Sequence, residues 1–150
     1  MDVIYRQFSV GDKKILTEMI FALYHEDPEG EPISMGKIDK TIHELSEFPE
    51  KGRIIIFEHN RTPVGYSILI NYWSNEYGGT VLAVDELYVR PEWRRTGVAS
   101  AFIQDIILQN KHGIAAIMLD VMPANRIARR FYEQCGFTLS ERNSFIYQCN

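Results

Sequence analysis

The stretch "LYVRPEWRRTGVASAFIQDII", residues 87–107, changes its residue pattern halfway along. Its first residues are apolar and typical of a β-strand, whereas its second half places apolar residues at the spacing of an amphipathic helix. A proline and three arginines, Arg90, Arg94 and Arg95, precede Gly97 at the change. A strand that passes through such a turn into a helix predicts an α/β fold.

The segments on both sides extend this alternation of strands and helices. Strand patterns cover residues 3–9, 54–58, 64–73, 80–89 and 114–122, and helix patterns cover residues 10–27, 37–48, 98–111 and 123–136. The closing residues 137–150 predict a strand, a turn and a strand, and Gly136 takes the position that ends the last helix. This order predicts a mixed sheet with helices on both faces.

The composition of the chain excludes several classes of protein. With 150 residues the chain is most simply one domain, residues 1–150. Its 16 basic and 20 acidic residues give a net charge of −4, which argues against a broad nucleic-acid-binding surface. No apolar run approaches the roughly 18 residues that span a bilayer. Neither a metal-ligand spacing nor a secretion signal is visible, so we expect a cytoplasmic protein without metal, membrane or nucleic-acid partners.

The turn before the helix at residues 98–111 has the features of an anion site. The first N–H groups of a helix lack intrahelical partners and lie at the positive end of the helix dipole, so they can bind a phosphate. Gly97 has no Cβ and lets an anion approach the backbone, while Ala99 is the next smallest residue. Arg94 and Arg95 can add charge-assisted contacts. The alternative is a surface turn with solvated arginines.

A second motif, "N-x-x-A-x-x-F-Y-E-x-x-G-F", begins at Asn125, about thirty residues after the arginine-rich turn. Together with "V-x-P-E-W-R-R-x-G-V-A", it resembles the cofactor-binding and catalytic segments of the GNAT superfamily of N-acetyltransferases. The family signature [RQ]-x-x-G-x-[GA] is met by Arg94, Gly97 and Ala99. The sequence departs from the family where Arg95 and Thr96 replace a common glycine, which predicts a less tight turn.

The resemblance implies a GNAT-like α/β fold, with a mixed, mostly antiparallel central sheet, helices on both faces and two strands that splay at an acetyl-CoA site. In that family the pantetheine arm lies along the strand that here contains Leu87, Tyr88 and Val89. The pyrophosphate binds the following turn and helix start, which correspond to Arg94, Arg95, Thr96, Gly97, Val98, Ala99 and Ser100. Asn125 matches a cofactor contact, and Tyr132 matches the tyrosine placed near the thioester sulfur.

Acetyl transfer to an amine needs groups that move protons. A lysine-like amine has a pKa of about 10.4 and must lose a proton before it attacks. Asp85 or Glu86 could accept this proton; adjacent strand residues face opposite sides unless a bulge intervenes, and the sequence ranks the two equally. A backbone N–H near Val89 could stabilise the oxyanion. Tyr132 could protonate the leaving thiolate, with a core tyrosine as the alternative, and Cys135 is interpreted as structural.

Acid and aromatic residues predict the acceptor surface. Glu26 and Asp27 lie in the first interhelical loop, and Tyr72 and Trp73 lie in the hairpin before the cofactor strand. These residue types suit a small cationic amine, and the resemblance extends to diamine and polyamine acetyltransferases of the superfamily. An amine on a protein and a non-catalytic acyl-CoA-binding regulatory module remain alternatives. The closing strands are candidate interface material for a homodimer.

Overall fold

The computed structural model of the protein describes residues 2–28, 30–110 and 113–149. In chain order the elements are β1 (Val3–Gln7), α1 (Lys13–Glu26), α2 (Met35–Glu47), β2 (Gly52–His59), β3 (Thr62–Ser74), β4 (Gly79–Val89), α3 (Val98–Gln109), β5 (Ala116–Met118) and α4 (Arg126–Gln134). The predicted end of α3 at Lys111 lies outside the described residues. The described residues form two compact units that divide between Asp120 and Val121, and a single domain stays a prediction.

The five strands form one sheet in the order β1-β2-β3-β4-β5. Strands β1 to β4 pair antiparallel with their neighbours, and β5 pairs parallel with β4. The hairpin between β2 and β3 turns through Asn60 and Arg61, whose φ angles are 48° and 63°. Two left-handed residues are what a two-residue hairpin turn requires. The predicted mixed, mostly antiparallel sheet is therefore confirmed.

Helices pack on both faces of the sheet, as predicted. Helices α1 and α2 cover one face, where the buried cluster consists of Leu16, Met19, Ile20, Ile38, Leu45, Ile54, Ile56, Tyr66, Ile68 and Tyr88. Phe57 follows Ile56 on β2 and therefore faces the other side. Its ring lies 4.6 Å from that of Phe102 on α3, centroid to centroid. Tyr5 joins the same aromatic group and donates a hydrogen bond of 2.8 Å to the carbonyl of Val98, which ties the start of α3 to β1.

Strand β4 contains one more residue than β3 at its middle. Ile68 is opposite Glu86 and Leu69 is opposite Val84, so Asp85 is the extra residue of a β-bulge. On its other edge β4 pairs with β5 at residues 81–83, just before the bulge. Because a bulge bends and twists a strand, it ends this pairing. Residues 84–89 of β4 thus extend beyond β5, which is the predicted splay.

Two strand predictions were wrong. The predicted strand at residues 114–122 is limited to Ala116–Met118, because the β4 edge that it pairs with bends away at the bulge. The two closing strands are absent from the described residues 137–149. A strand requires a ladder partner, and the three consecutive apolar side chains of Phe145, Ile146 and Tyr147 are each at least 90% exposed.

The second unit contains α4 with defined caps at both ends. The side chain of Asn125 accepts a hydrogen bond of 3.1 Å from the Ala128 N–H, which caps the N-terminus. At the other end Gly136 has φ of 95°, and the Phe137 N–H bonds the Tyr132 carbonyl at 3.0 Å. This is a Schellman motif, in which a left-handed glycine ends the helix. The sequence-based assignment of Gly136 is confirmed.

An ion-pair cluster holds β1, β2 and the start of α1 together. The guanidinium of Arg6 donates two hydrogen bonds to Asp12, of 2.8 and 2.9 Å, and two more to Glu58. The backbone N–H of Ser9 also donates to Asp12. These bonds, chiefly those from Arg6, lower the pKa of Asp12 from 3.8 to about 2. Since folding favours the ionised form, the cluster stabilises the fold above pH 3.8.

We expect Asp12→Asn to reduce the free energy of unfolding at pH 7 by about 2 kcal/mol. The stabilisation by Asp12 falls as the pH drops through its folded-state pKa, so about half of the difference remains at pH 3. Urea unfolding of both proteins at pH 7 and pH 3 measures this change. Asp39→Asn is the matched control, because the Asp39 pair with Lys13 is about half exposed and its loss costs under about 1 kcal/mol. An Asp12→Asn effect that does not change with pH would contradict this assignment.

Candidate functional site

The part of β4 beyond β5 has no partner strand on that edge among the described residues, so we call it the open edge. The Arg90 N–H bonds the Val64 carbonyl at 2.9 Å, so Arg90 faces β3. Along an antiparallel strand the direction of these groups alternates, and the N–H and C=O groups of Val89 and Leu87 therefore point away from β3. Those of Tyr88 point towards β3. Of the three residues predicted to line a pantetheine arm, Leu87 and Val89 turn backbone groups towards this edge, although the Val89 carbonyl already accepts a hydrogen bond from Arg94. The side chain of Tyr88 lies in the buried cluster on the face covered by α1 and α2.

The turn after β4 leads into α3 through two left-handed residues. Arg95 has φ of 62° and Gly97 has φ of 90°. A non-glycine residue adopts this conformation at a cost, so Arg95 holds a backbone conformation that glycine adopts more easily. The less tight turn stays a prediction. The Thr96 hydroxyl donates to the Trp93 carbonyl and closes the turn.

The start of α3 presents free helix donors to a space beside Gly97. The first intrahelical bond runs from the Ala101 N–H to the Gly97 carbonyl at 2.9 Å. The N–H groups before it in the helix belong to Val98, Ala99 and Ser100. A Cβ at Gly97 would meet only the Ser100 hydroxyl, at 4.0 Å, so the space is open. The predicted anion-binding residues are therefore together at one helix N-terminus.

Arg94 connects this turn to the end of α1. Its Nη2 donates to both carboxylate oxygens of Glu26, at 2.8 and 2.7 Å, and its Nε donates to the Val89 carbonyl at 2.8 Å. The guanidinium also lies 5.6 Å from the centroid of the Tyr88 ring. Glu26, predicted as an acceptor contact, thus neutralises an arginine predicted as a phosphate contact. The sequence contained no signal for this pair, because 68 residues separate its members.

Two tyrosines hold the carboxylate of Glu86. Tyr24 of α1 donates to Oε2 at 2.7 Å, and Tyr66 of β3 donates to Oε1 at 2.8 Å. Burial raises the pKa of Glu86, while the two phenol hydrogen bonds oppose this rise. The pKa values of Tyr24 and Tyr66 are also raised, chiefly by burial and then by the nearby carboxylate. Glu86 is therefore a half-buried acid whose two oxygens are oriented by protonated phenols.

Asp85 has a different environment. As the bulged residue it lies outside the ladder with β3, and its side chain is exposed. Partial desolvation raises the pKa of Asp85, and the charge of Asp120 raises it further. Because of the bulge, Asp85 and Glu86 do not follow the regular alternation of side chains between the two faces of the sheet. Of the two, Glu86 alone has both carboxylate oxygens bonded to tyrosines. The geometry thus distinguishes two residues that the sequence ranked equally.

Sequence reasoning missed Tyr24 and Tyr66 as members of the site. Tyr24 stands four residues after Ile20 and so extends the apolar stripe of α1. Tyr66 is opposite Tyr88 in the β3–β4 register and is fully buried. The one local signal for these two residues is that a tyrosine hydroxyl at a core position needs a hydrogen-bond partner. That partner could be assigned only after strands and helices were packed.

In the second unit, Tyr132 lies among aromatic rings. Its ring centroid is 4.9 Å from that of Phe131 and 5.7 Å from that of Phe137. Burial raises the pKa of Tyr132 to about 12, so the phenol keeps its proton at neutral pH. Asn125 caps the helix through its side-chain oxygen. Burial also raises the pKa of the Cys135 thiol, which agrees with a structural rather than a nucleophilic cysteine.

The structure does not bring the four predicted acceptor residues together. Glu26 lies with Arg94, and the N–H of Asp27 caps the end of α1 on the Leu23 carbonyl. Tyr72 lies six residues along β3 from Tyr66, a separation of about 20 Å. It donates to the Met118 sulfur, and its neighbour Trp73 is 70% exposed. The acidic and aromatic residues therefore belong to opposite ends of the β3–β4 pair.

Residues 2–28, 30–110 and 113–149 contain no group of three or more His, Cys, Asp or Glu side chains that could hold a metal ion. These residues also contain no helix that combines the length and the apolar character needed to cross a membrane.

Comparison with known proteins identifies a family and a fold. The profile of the acetyltransferase (GNAT) family matches residues 17–137. A search of curated proteins returns no match. Among solved structures, a possible acetyltransferase from Clostridium difficile 630 is 21% identical with a TM-score of 0.86, over 99% of this chain and 98% of that chain. This level of identity indicates a shared fold and no more.

Two further structures resemble the chain over nearly its whole length. The integron cassette protein HFX_CASS3, from the mobile metagenome of Cole Harbour Salt Marsh, is 26% identical with a TM-score of 0.78, over 97% of this chain and 89% of that chain. Glucosamine-6-phosphate N-acetyltransferase from Arabidopsis thaliana is 15% identical with a TM-score of 0.74, over 98% and 99%. The substrate named for the Arabidopsis enzyme is a property of that enzyme and is not carried over to this chain.

Removing either phenol that holds Glu86 should raise the pKa of this carboxyl further. Tyr66→Phe keeps the ring but removes a hydrogen bond that stabilises the ionised form. Its measurement is a pH titration of the Glu86 side-chain carbon by NMR in protein labelled with ¹³C-glutamate, assigned with Glu86→Gln. Tyr77→Phe is the control, because Tyr77 lies in the β3–β4 turn region and is 58% exposed. A Glu86 titration identical in wild type and Tyr66→Phe would show that the bond does not control ionisation.

Proposed function

We propose, since the chain belongs to the acetyltransferase (GNAT) family, that it transfers an acetyl group from acetyl-CoA to the primary amine of a small cationic molecule. The observation that carries this proposal is the Glu86 carboxylate on β4, which accepts hydrogen bonds from Tyr24 and Tyr66. The next residue of β4, Leu87, turns its backbone groups towards the open edge. An oriented acid of raised pKa, one residue before the Leu87 backbone groups on this edge, suits proton removal from an amine.

The proposed cofactor contacts follow from the backbone. The pantetheine arm would lie along the edge formed by Leu87 and Val89, in the manner of an added strand. The pyrophosphate would accept hydrogen bonds from the N–H groups at the start of α3, next to the open space at Gly97. Acetyl-CoA supplies the activated acetyl group as a thioester. In the second unit we keep Asn125 and Tyr132 as proposed cofactor contacts.

The proposed reaction uses two protein groups for its protons. Glu86 accepts a proton from the ammonium of the acceptor, directly or through a water, and the freed lone pair forms the new C–N bond. The Val89 N–H, on the open edge, donates to the oxyanion of the tetrahedral intermediate. Collapse of the intermediate breaks the C–S bond, and Tyr132 gives its proton to the thiolate. The nitrogen loses its second proton to solvent to give the neutral amide, and the Tyr132 phenolate regains a proton from solvent. The high pKa of Tyr132, about 12, keeps this proton available at neutral pH.

Several finer parts of the proposal rest on the sequence. We keep the cytoplasm as the location, and a small molecule rather than a nucleic acid or a membrane as the partner. We also keep a homodimer, which sedimentation at working concentration tests. An amine on a protein remains the alternative acceptor. A non-catalytic acyl-CoA-binding module is the second function, but it has no need of an acid held by two phenols.

The enzyme should release CoA when incubated with acetyl-CoA and a suitable amine. A thiol-release assay across polyamines, aminoglycosides, amino acids and peptides measures this. We expect Glu86→Gln and Tyr132→Phe each to lower kcat by roughly 10²–10⁴-fold, because each removes a proton-transfer group. Acetyl-CoA affinity should change by less than about twofold in Glu86→Gln, since this side chain acts on the amine. Asp85→Asn is the matched control and should retain most of the activity.

Two results would contradict the proposal. Micromolar acetyl-CoA binding without CoA release for any amine would favour the non-catalytic module. Full activity of Glu86→Gln, combined with loss of activity in Asp85→Asn, would transfer the role of base to Asp85.

Neutralising Glu26 should strengthen acetyl-CoA binding. In the structure Arg94 is paired with Glu26, and a pyrophosphate at the start of α3 would compete for the same guanidinium. We expect Glu26→Gln to lower the acetyl-CoA Kd by up to about fivefold. This ratio corresponds to the stabilisation of up to about 1 kcal/mol that an exposed ion pair supplies and that Arg94 would no longer lose on binding the pyrophosphate. Isothermal titration calorimetry measures the Kd, with Glu47→Gln at the end of α2 as the control. An unchanged or weaker affinity in Glu26→Gln would mean that Arg94 serves only to hold α1.

A further inference from the structure

A small cavity lies directly beside Glu86, between the sheet and helices α1 and α2. Its volume is about 20 Å³. Seven of its nine lining residues are aliphatic, and the other two are Thr41 and Glu86. The isoleucines among them are Ile20, Ile33, Ile38, Ile42, Ile54 and Ile68. We call this space the isoleucine cavity.

The isoleucine cavity offers one charged group and almost no other polar partner. Each oxygen of the Glu86 carboxylate accepts one phenol hydrogen bond, and a carboxylate oxygen can accept two. The carboxylate therefore keeps acceptor capacity for a further donor. The Thr41 hydroxyl donates to the Lys37 carbonyl one helical turn before it, at 3.0 Å, so its proton is already used. The remaining wall is hydrocarbon.

The size and polarity of the cavity select an apolar occupant. A cavity of about 10–15 Å³ or more can hold a water, but that water needs two to four polar partners. The walls supply Glu86 and little else, so a methyl or methylene group fits better than a water. A second ammonium group would lose its hydration in the cavity without gaining a partner.

We propose that the isoleucine cavity binds the short alkyl group of the acceptor, with the reacting ammonium at Glu86. This inference rests on the proposed function and defines its substrate class: a primary amine with a small aliphatic substituent next to the nitrogen and no second charge at that end. Each methylene placed in the cavity strengthens binding about fourfold. Specificity then comes from α2 and the residues before it, where Ile33, Thr41 and Ile42 are half-buried at the margin of the cavity.

Binding can be measured without acetyl transfer. The protein is saturated with CoA, which carries no acetyl group, and its isoleucine δ1 methyl groups are labelled with ¹³C. The probes are n-propylamine and 1,3-diaminopropane, which have the same carbon chain and differ by one ammonium group. We expect n-propylamine to shift the methyl signals of the isoleucine cavity, and to leave those of Ile103 and Ile106 on α3 unchanged. The diamine should bind at least about tenfold more weakly.

A matched pair of variants tests the cavity itself. Thr41→Leu adds hydrocarbon at the cavity wall and should weaken n-propylamine binding at least about tenfold. Thr17→Leu makes the same change on α1, where the Thr17 hydroxyl donates to the Lys13 carbonyl in the same way, outside the cavity. It should leave binding unchanged. If Thr41→Leu does not fold, Ile42→Val removes one methyl from the wall instead and should shift the preference about fourfold towards n-butylamine.

The outcomes separate this inference from the proposed function. CoA release with amines, without shifts of the cavity methyl signals and without an effect of Thr41→Leu, would overturn the inference and leave the acetyltransferase assignment standing. Equal binding of the diamine and n-propylamine would also overturn it. Shifts of the cavity methyl signals with n-propylamine, in a protein that acetylates none of the amines tested, would support the cavity assignment and contradict the proposed function.

Discussion

The extra residue in β4 is the constraint on which the candidate site depends. Asp85 has no opposite residue on β3, so β4 bends at this point and its pairing with β5 ends at Ala83. The strand then continues to Val89 with one edge open. The same irregularity brings Glu86 opposite Ile68, on the face covered by α1 and α2. One inserted residue thus creates the open edge and orients the acid.

The proposed anion site does not depend on the net charge of the protein. The chain carries a net charge of −4, and Arg94 is already neutralised by Glu26. What remains for an anion is local: N–H groups at the start of α3 and a left-handed turn that leaves space at Gly97. The positive field of a helix N-terminus acts only within about the first turn. It can therefore attract an anion locally even when the protein as a whole is negatively charged. Overall charge is therefore a poor guide to small anion sites.

Glu86 illustrates the balance that a half-buried acid requires. Burial among isoleucines destabilises its charge, while two phenols stabilise it, so the pKa is raised without loss of orientation. The phenols of Tyr24 and Tyr66 can stabilise this charge because their own pKa values are raised, so they stay protonated and keep donating hydrogen bonds. An acid in an entirely apolar wall would be neutral at pH 7, and a fully solvated one would be a weak base. The environment lies between these limits.

Much of the fold was predictable because its signals are local. Caps, turns and apolar spacing predicted the helices, the hairpin and the helix-ending role of Gly136. The failures concern pairing: β5 is three residues long, and the described residues 137–149 contain no strand. β-propensity indicates that a segment can be a strand, but a ladder needs a partner distant in sequence.

The sequence by itself determined the family, through two motifs whose members are close neighbours in the chain. It also located the helix start that is proposed to bind a phosphate. Only the tertiary structure distinguished Glu86 from Asp85, added Tyr24 and Tyr66, paired Glu26 with Arg94 and formed the isoleucine cavity. The physical reason is that helix ends and turns depend on bonds between residues a few positions apart. The ionisation of an acid and the shape of a cavity depend on side chains from five different elements.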